Sequence, residues 1–450
     1  MGGGLMALKA LDIYKLLPKK NCKECGVPTC LTFAMKLASG KADVELCPYL
    51  DDEAKNVLGA STRPPIRLVK VGVGERAFRV GDEFVFYRHE KTFYHEPAIL
   101  FRVSDTWDEA TIAGVVHEVR DYTLTRVGQD LSLNGVAIAN DSGDPAAFGR
   151  AVAVVEANAD LPEVLIADDP AALEAGLAHC GGFHPLLDGA TDENAEAVCA
   201  LAKKHGAPLV VRAPDLEPLV ALVQRCTGLG VADLVLDLDA PTLAGFIERS
   251  SAVRQLAIAR AVPELGYPVY YDCSRAGELA PAAIGLGVLK FGSVLVTGPL
   301  SRPETVAALT LRQNIYTDPQ KPIQMTPGLY SIGAPGPESP VLMTVNFSLT
   351  FFTLQGYLES TRIPCYMLIV DTEGQSVLTA VAGGKLSESV VADAIKKFEV
   401  EQAVAHRKLI IPGYAAPLSG AIEDATGWTV MVGPRDAADI GAFLETEWKG

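Results

Sequence analysis

From residue 66 to about 320 the chain alternates short apolar runs with stretches whose apolar residues recur at helical spacing. The runs that read as strands are Phe84–Tyr87, Thr111–Val116, Gly135–Ala139, Val164–Ala167, His184–Leu187, Pro208–Val211, Leu234–Leu238, Val269–Tyr271 and Val294–Val296. Amphipathic stretches such as Pro170–His179, Asp192–Lys204 and Leu216–Cys226 separate many of them. Strand–helix units repeated over about 250 residues predict a (β/α)8 barrel of the TIM type, for which nine candidates are one strand too many.

A stretch rich in Pro and Gly follows at 312–340 (Pro319, Pro322, Pro327, Pro335, Pro337, Pro340), and it reads as a linker and hinge. Beyond it the alternation returns on a smaller scale. Strands are expected at Val341–Val345, Met367–Val370, Lys408–Ile411 and Thr429–Val432, and helices at Leu349–Ser360, Ser387–Phe398, Ala416–Thr426 and Ala437–Trp448. That pattern predicts a doubly wound, Rossmann-like sheet, in which ligands sit beyond the carboxyl ends of the strands. At the other end, Ser61-Thr-Arg-Pro64-Pro65 is stiff and cannot continue a helix. The expected domains are therefore 1–61, 62–318 and 319–450 within an α/β protein.

Composition narrows the function classes. A chain of 450 residues with 49% hydrophobic and 21% charged residues is a globular protein of more than one core. A net charge of -16 argues against nucleic acid as a partner, because phosphate contacts need clustered Lys and Arg. No apolar run reaches the roughly 18 residues of a membrane span, and residues 1–6 lack the features of a secretory signal. A cytoplasmic location is expected.

Four of the nine cysteines fall within residues 22–47, in the pattern C-x2-C-x4-C-x16-C formed by Cys22, Cys25, Cys30 and Cys47. Gly26 and Pro28 place the first three thiols on a tight loop. A helical stretch from Leu31 to Ser39 spans the long gap and brings Cys47 back. Four thiolates held this way suit a zinc site or a [4Fe-4S] cluster. The single C-x2-C pair and the Cys47-Pro48 ending favour the cluster. The other five, Cys180, Cys199, Cys226, Cys273 and Cys365, read as small core residues.

Three C-terminal loops have the small and polar residues that a large planar ligand needs for close approach. They are Thr344–Thr350, Asp371–Thr379 running into Gly383-Gly384, and Ile411–Tyr414. In the barrel, Asp141, Asp168, Asp169, Asp188, Asp237, Asp239 and Asp272 follow strands, where a polar substrate such as a pterin would bind. Helix capping by Asp is the simpler account and the favoured one. Gly72-Val-Gly74 reads as a hairpin turn rather than a dinucleotide loop, and His89 and His95 are assigned no role.

Leu17-Pro-Lys-Lys-Asn-Cys22-Lys-Glu-Cys25-Gly, Asn346-Phe-Ser-Leu-Thr350 and Asp371-Thr-Glu-Gly-Gln-Ser-Val-Leu-Thr379 together resemble the large (gamma) subunit family of the corrinoid/iron-sulfur protein, over essentially the whole chain. The resemblance implies a [4Fe-4S] cluster on the four cysteines and a base-off cobamide, a vitamin B12-type corrinoid, in the C-terminal domain. It puts Thr344, Asn346, Thr350, Gly374, Gln375, Ser376, Val377, Leu378, Thr379, Gly383 and Ala438 at the corrinoid, with Thr379 and Gly383 facing cobalt. It further implies a methyl carrier of the reductive acetyl-CoA pathway rather than a complete catalyst. In that role cob(I)amide takes a methyl group from methyl-tetrahydropterin and passes it to acetyl-CoA synthase, while the cluster reactivates Co(II). The implied partners are a small subunit, a pterin-dependent methyltransferase, acetyl-CoA synthase/CO dehydrogenase and a reductive activator. No Asp-x-His-x-x-Gly loop occurs, and after residue 205 the one histidine is His406, which agrees with a cobalt that takes no imidazole. Two rivals stand beside this reading: a self-sufficient pterin-dependent corrinoid methyltransferase and an iron–sulfur electron-transfer protein.

Overall fold

The computed structural model of the chain describes residues 10–38, 42, 44–51, 54, 64–87, 90, 93–317 and 323–448. The expected boundary at 61, with residues 61–63, lies outside them, as do residues 1–9, His89, Pro319 and Pro322. The chain divides into two compact units, one formed by residues up to 124 and 132–316, the other by 125–131 and 317–450.

The first unit opens with α1 (Ala10–Leu16) and α2 (Cys30–Ala38), which pack together by burying Ile13, Leu17, Phe33, Ala34 and Leu37. An antiparallel hairpin follows, β1 (Val69–Val73) and β2 (Arg76–Val80). Gly72 lies inside it at φ +85°, and a Cβ there would stand 1.8 Å from the Arg76 carbonyl oxygen, so the hairpin requires glycine at that point.

The chain then runs through β3 (Ala98–Ser104), α3 (Glu109–Asp121), a two-stranded hairpin of β4 (Leu124–Arg126) and β5 (Gln129–Leu131), β6 (Gly135–Ala139), α4 (Pro145–Asn158), β7 (Glu163–Ile166), α5 (Pro170–Leu177), β8 (Leu186–Ala190) and α6 (Ala195–His205). It continues through β9 (Leu209–Arg212), α7 (Leu216–Gly228), β10 (Leu234–Asp237), α8 (Leu243–Ala259), β11 (Val269–Asp272), α9 (Ala280–Leu289), β12 (Gly292–Thr297) and α10 (Arg302–Tyr316). Strands β3 and β6 to β12 are parallel and close into an eight-stranded barrel, with β12 paired back onto β3. Val69, Val71, Phe78 and Val80 of the first hairpin pack with Ala98, Leu100, Val164, Leu186, Val210 and Val235 inside it.

The barrel is the one expected, reached by a different set of strands. Phe84–Tyr87 is not a strand: the Phe86 and Tyr87 N–H groups donate to the Glu90 carboxylate in a turn. Thr111–Val116 belongs to helix α3, and the first barrel strand is Ala98–Ser104, which was not among the candidates. The fourth begins at Leu186 rather than His184.

In the second unit β13 (Gly328–Ile332), β14 (Val341–Val345), α11 (Ser348–Thr361), β15 (Cys365–Val370), α12 (Val377–Ala382), α13 (Glu388–Lys397), α14 (Val400–Ala403), β16 (Lys408–Ile411), α15 (Ser419–Thr426), β17 (Thr429–Val432) and α16 (Ile440–Glu447) build a sheet of order β13-β15-β14-β16-β17. Four strands are parallel and the edge strand β13 is antiparallel. Alternate residues feed two cores: Val341, Met343, Leu368 and Leu409 enter one, and Leu342, Met367, Ile369 and Ile410 the other. The stretch 312–340, expected to be a linker and hinge, also contributes to regular elements: its start completes α10 and its middle is β13. The expected helix Ala416–Thr426 starts at Ser419, after a 3-10 turn that contains Pro417. Among the described residues no helix is long and apolar enough to cross a membrane.

Candidate functional site

The cysteine loop has left-handed backbone at Lys19, Asn21, Lys23 and Gly26, a conformation that can turn N–H groups inward, as in backbone nests around anions and Fe–S groups. Asn21 braces it. Its Oδ1 accepts from the Cys30 N–H at 2.8 Å, and its own N–H donates to Cys30 Sγ at 3.4 Å. A 3-10 turn at Val44–Leu46 returns Cys47, whose N–H donates to the Val44 carbonyl. Cys30 and Cys47 are buried, Cys22 and Cys25 half-buried, and none is in a disulfide. The Tyr49 hydroxyl donates to Glu24 at 2.7 Å, and Lys20 Nζ stands 3.8 Å from the centre of the Tyr49 ring. Among the described residues, the one trio of His, Cys, Asp or Glu ligand atoms gathered within 4.8 Å of one another is Glu156, Glu163 and Cys180.

The larger site is in the second unit. Strand β14 connects to β15 on one side of it and the chain then crosses to β16 on the other, so β14 and β16 flank the point where strand order reverses. A cavity of about 320 Å³ opens there. Its floor is apolar, with Leu342, Met343, Ile410 and Ile440, and its wall is the α11 face that carries Leu349, Thr350, Thr353 and Leu354. Of the sequence-expected residues, Thr344, Thr350, Ser376, Val377 and Leu378 line it. Leu349, Leu378 and Tyr414 form an exposed apolar lip.

The other expected residues stand outside that lining. Asn346 is 1% exposed and organises the loop after β15: its Oδ1 accepts from Thr372 N–H, Thr372 Oγ1 and Gly374 N–H at 2.9–3.1 Å, and its Nδ2 donates to Asp371. Ser376 caps α12. Thr379 of this helix and Gly383, its C-cap, are both exposed, and Gln375 Oε1, 3.6 Å from where a Gly383 Cβ would stand, is buried without a hydrogen-bond partner. Ala438 is exposed, its N–H held by Asp436. Sequence reasoning missed Thr353, Leu354 and Gly433–Arg435. Only the third loop, Ile411–Tyr414, pointed toward them. Gly413 holds that loop against its neighbour: its N–H donates to the Pro434 carbonyl at 3.0 Å, and a Cβ there would meet Arg435 N at 2.8 Å. His406 is occupied elsewhere, with Nδ1 accepting from Lys408 N–H and Nε2 against the Ser339 carbonyl.

The barrel carboxylates split between two roles. Asp169 and Asp272 cap helical turns, as the simpler account expects. Asp141 pairs with Arg102 and Asp168 with Arg212, while Arg275 bridges Asp237, Asp239 and Asp272 at 3.3–3.5 Å. Asp188 does neither: it is buried beside the Tyr270 hydroxyl, and burial together with nearby Asp237 pushes its carboxyl up to about 7. At the other end of the strands, burial and Glu156 push Glu163 up to about 8. Arg76 already supplies positive charge there, 3.3 Å from Glu156 and 3.8 Å from Glu163.

A family model described as CO dehydrogenase/acetyl-CoA synthase delta subunit matches residues 68–444, and a second, for an Fe-S cluster, matches residues 17–49. The corrinoid/iron-sulfur protein large subunit of Moorella thermoacetica is 44% identical over 439 residues, which cover 97% of this chain and 98% of that one. The acetyl-CoA decarbonylase/synthase complex subunit gamma of Methanopyrus kandleri is 38% identical over 454 residues, 98% of each chain. Among solved structures, a Yersinia pestis dihydropteroate synthase is 14% identical and aligns with 49% of this chain and 92% of its own at a TM-score of 0.36.

Proposed function

The chain belongs to the family of corrinoid/iron-sulfur protein large subunits, the gamma subunits of acetyl-CoA decarbonylase/synthase complexes, and from that premise we propose that it is a methyl-group carrier built around a corrinoid and a [4Fe-4S] cluster. The observation that carries this reading is the cavity at the switch point between β14 and β16, with its apolar lip and an unpartnered amide oxygen beside it. When bound, the corrinoid supplies a cobalt centre able to hold a methyl group, and the cluster supplies a low-potential electron.

The residues fit both groups. Cys22, Cys25 and Cys30 on a loop braced by Asn21, with Cys47 returned by the turn at Val44–Leu46, offer the four thiolates that such a cluster takes. The C-terminal cavity lies at the small end of ligand sites, below the size of a whole cobamide. It would hold the nucleotide tail, and Leu349, Leu378 and Tyr414 would offer the corrin ring an apolar surface. Corrin rims carry amide N–H donors, and Gln375 Oε1 is a buried acceptor that lacks one. Thr379 and Gly383, both exposed, are the residues proposed to face cobalt, and Asn346 and Ala438 act by fixing the loops around them. His406, the one histidine in the sequence of the second unit, has both ring nitrogens engaged and would offer cobalt no imidazole; a base-off cobamide is proposed because a tail held in the cavity would keep its own base away from the metal. A small corrinoid/iron-sulfur subunit, a pterin-dependent methyltransferase, acetyl-CoA synthase/CO dehydrogenase and a reductive activator are the partners this role requires.

The test is anaerobic metal and cofactor analysis of the purified chain, with visible spectra before and after a low-potential reductant. About four Fe, one Co and a reductant-induced Co(I) band are expected. Iron without cobalt, and no corrinoid uptake on reconstitution, would leave an electron carrier. Zinc in place of iron would overturn the cluster.

A further inference from the structure

On the basis of the corrinoid reading, we infer that Arg435 recognises the phosphodiester of the cofactor's nucleotide tail and so selects complete cobamides over tail-less corrinoids. Arg435 is the one residue lining the C-terminal cavity that carries a full charge. It stands at the mouth of an otherwise apolar and hydroxyl-bearing pocket, in a chain whose net charge is -16. Among the described residues no carboxylate neutralises it: its ring contact is Tyr414, 5.7 Å from the guanidinium, and the adjacent Asp436 turns away to cap Ala438 at 3.0 Å.

Its backbone is anchored. Besides the Gly413 contact with Pro434, the Gly433 N–H donates to the Ile411 carbonyl at 2.9 Å, so Arg435 projects from a fixed base. The periphery of a corrinoid is made of neutral amides, and the nucleotide loop adds a single anionic phosphodiester. A planar guanidinium matches that anion in charge and geometry better than any other group in the pocket. Thr350, Thr353 and Ser376 can bind amides or hydroxyls and would serve either corrinoid alike.

Full-length chain reconstituted with its iron–sulfur cluster but free of corrinoid is titrated with cobalamin and with cobinamide, which lacks the nucleotide loop, and binding is followed by visible absorbance. For Arg435→Ala, cobalamin affinity is expected to fall roughly ten- to a hundred-fold, the range for a hydrogen bond to a charged group. Cobinamide affinity is expected to stay within about twofold, inside the scatter of surface substitutions. Arg435→Lys should restore part of the loss, because it returns the charge without the fork. Equal losses for both corrinoids, or no loss for cobalamin, overturn the role of Arg435 while leaving the corrinoid site intact. If the wild-type chain binds neither corrinoid, the reading of the C-terminal site falls, and the inference with it.

Discussion

Asp188 is costly to the folded barrel. An ordinary carboxyl near 3.8 is held up to about 7 by burial and by Asp237, which outweigh Arg212 and the Tyr270 hydroxyl beside it. Below about pH 4 the folded and unfolded chains both hold the proton. Between that point and pH 7 the folded chain keeps it and the unfolded chain loses it, so stability declines as pH rises, and the full penalty remains above pH 7. Replacing Asp188 by Asn removes the ionisable group. The variant should gain on the order of 1–3 kcal/mol at pH 8 and little at pH 4, read from denaturant midpoints at both values. An equal gain at the two pH values would show that the site responds to shape and not to charge. Arg435 and Asn346 mark opposite limits of what single residues reveal before folding. Asn346 stood out because it ends a strand in a polar loop, although the structure gives it the bracing of 372–374. Arg435 follows Gly433-Pro434, an ordinary turn in sequence, and gains its position only from the neighbouring loop.

Helix α3 shows why elements are harder to read than architecture. Thr111-Ile-Ala-Gly-Val-Val116 is rich in β-branched residues and therefore reads as a strand. Its fate is decided three residues earlier, in the helix cap. Asp108 accepts from both the N–H and the Oγ1 of Thr111 at 2.9 Å, and Ile112, Val116 and Val119 then share one buried face. Asp108→Ala should cost about 1 kcal/mol in urea unfolding, the usual worth of such a cap; a strand at 111–116 would give no loss. The overlooked β3 is the converse. Its apolar run is interrupted by Arg102, which reaches out to Asp141 while six of its seven residues are buried. The other seven barrel strands were legible because parallel strands covered on both faces read as unbroken apolar runs. Edge strand β13 was not, since it begins directly after Pro327, and edges tolerate proline nearby. Cavity residues on loops at strand ends were legible for the same topological reason. Thr353, Leu354 and Gly433–Arg435 depend on sheet order, which no local pattern states.

At the scale of the molecule, each unit has cores of its own: the helical module and the barrel in one, the two faces of the sheet in the other. Calorimetry should resolve their unfolding, and cobalamin should act on one of them. At a concentration one hundred times its dissociation constant it should stabilise the C-terminal unit by about 2.7 kcal/mol and leave the barrel transition where it was. A shift of the barrel transition alone would overturn the C-terminal placement of the corrinoid. The second unit is also discontinuous in sequence. Residues 125–131 group with it, and Gly128, at φ +73°, lies so close to Met325 that a Cβ would meet the sulfur at 2.8 Å. Translation therefore delivers this unit in two instalments. Residues 125–131 leave the ribosome first, and the barrel from β6 onward is made before residue 317 emerges. At roughly 5–20 residues per second the early segment waits on the order of ten to forty seconds for its partners. The barrel has that interval to close before the rest of the second unit exists.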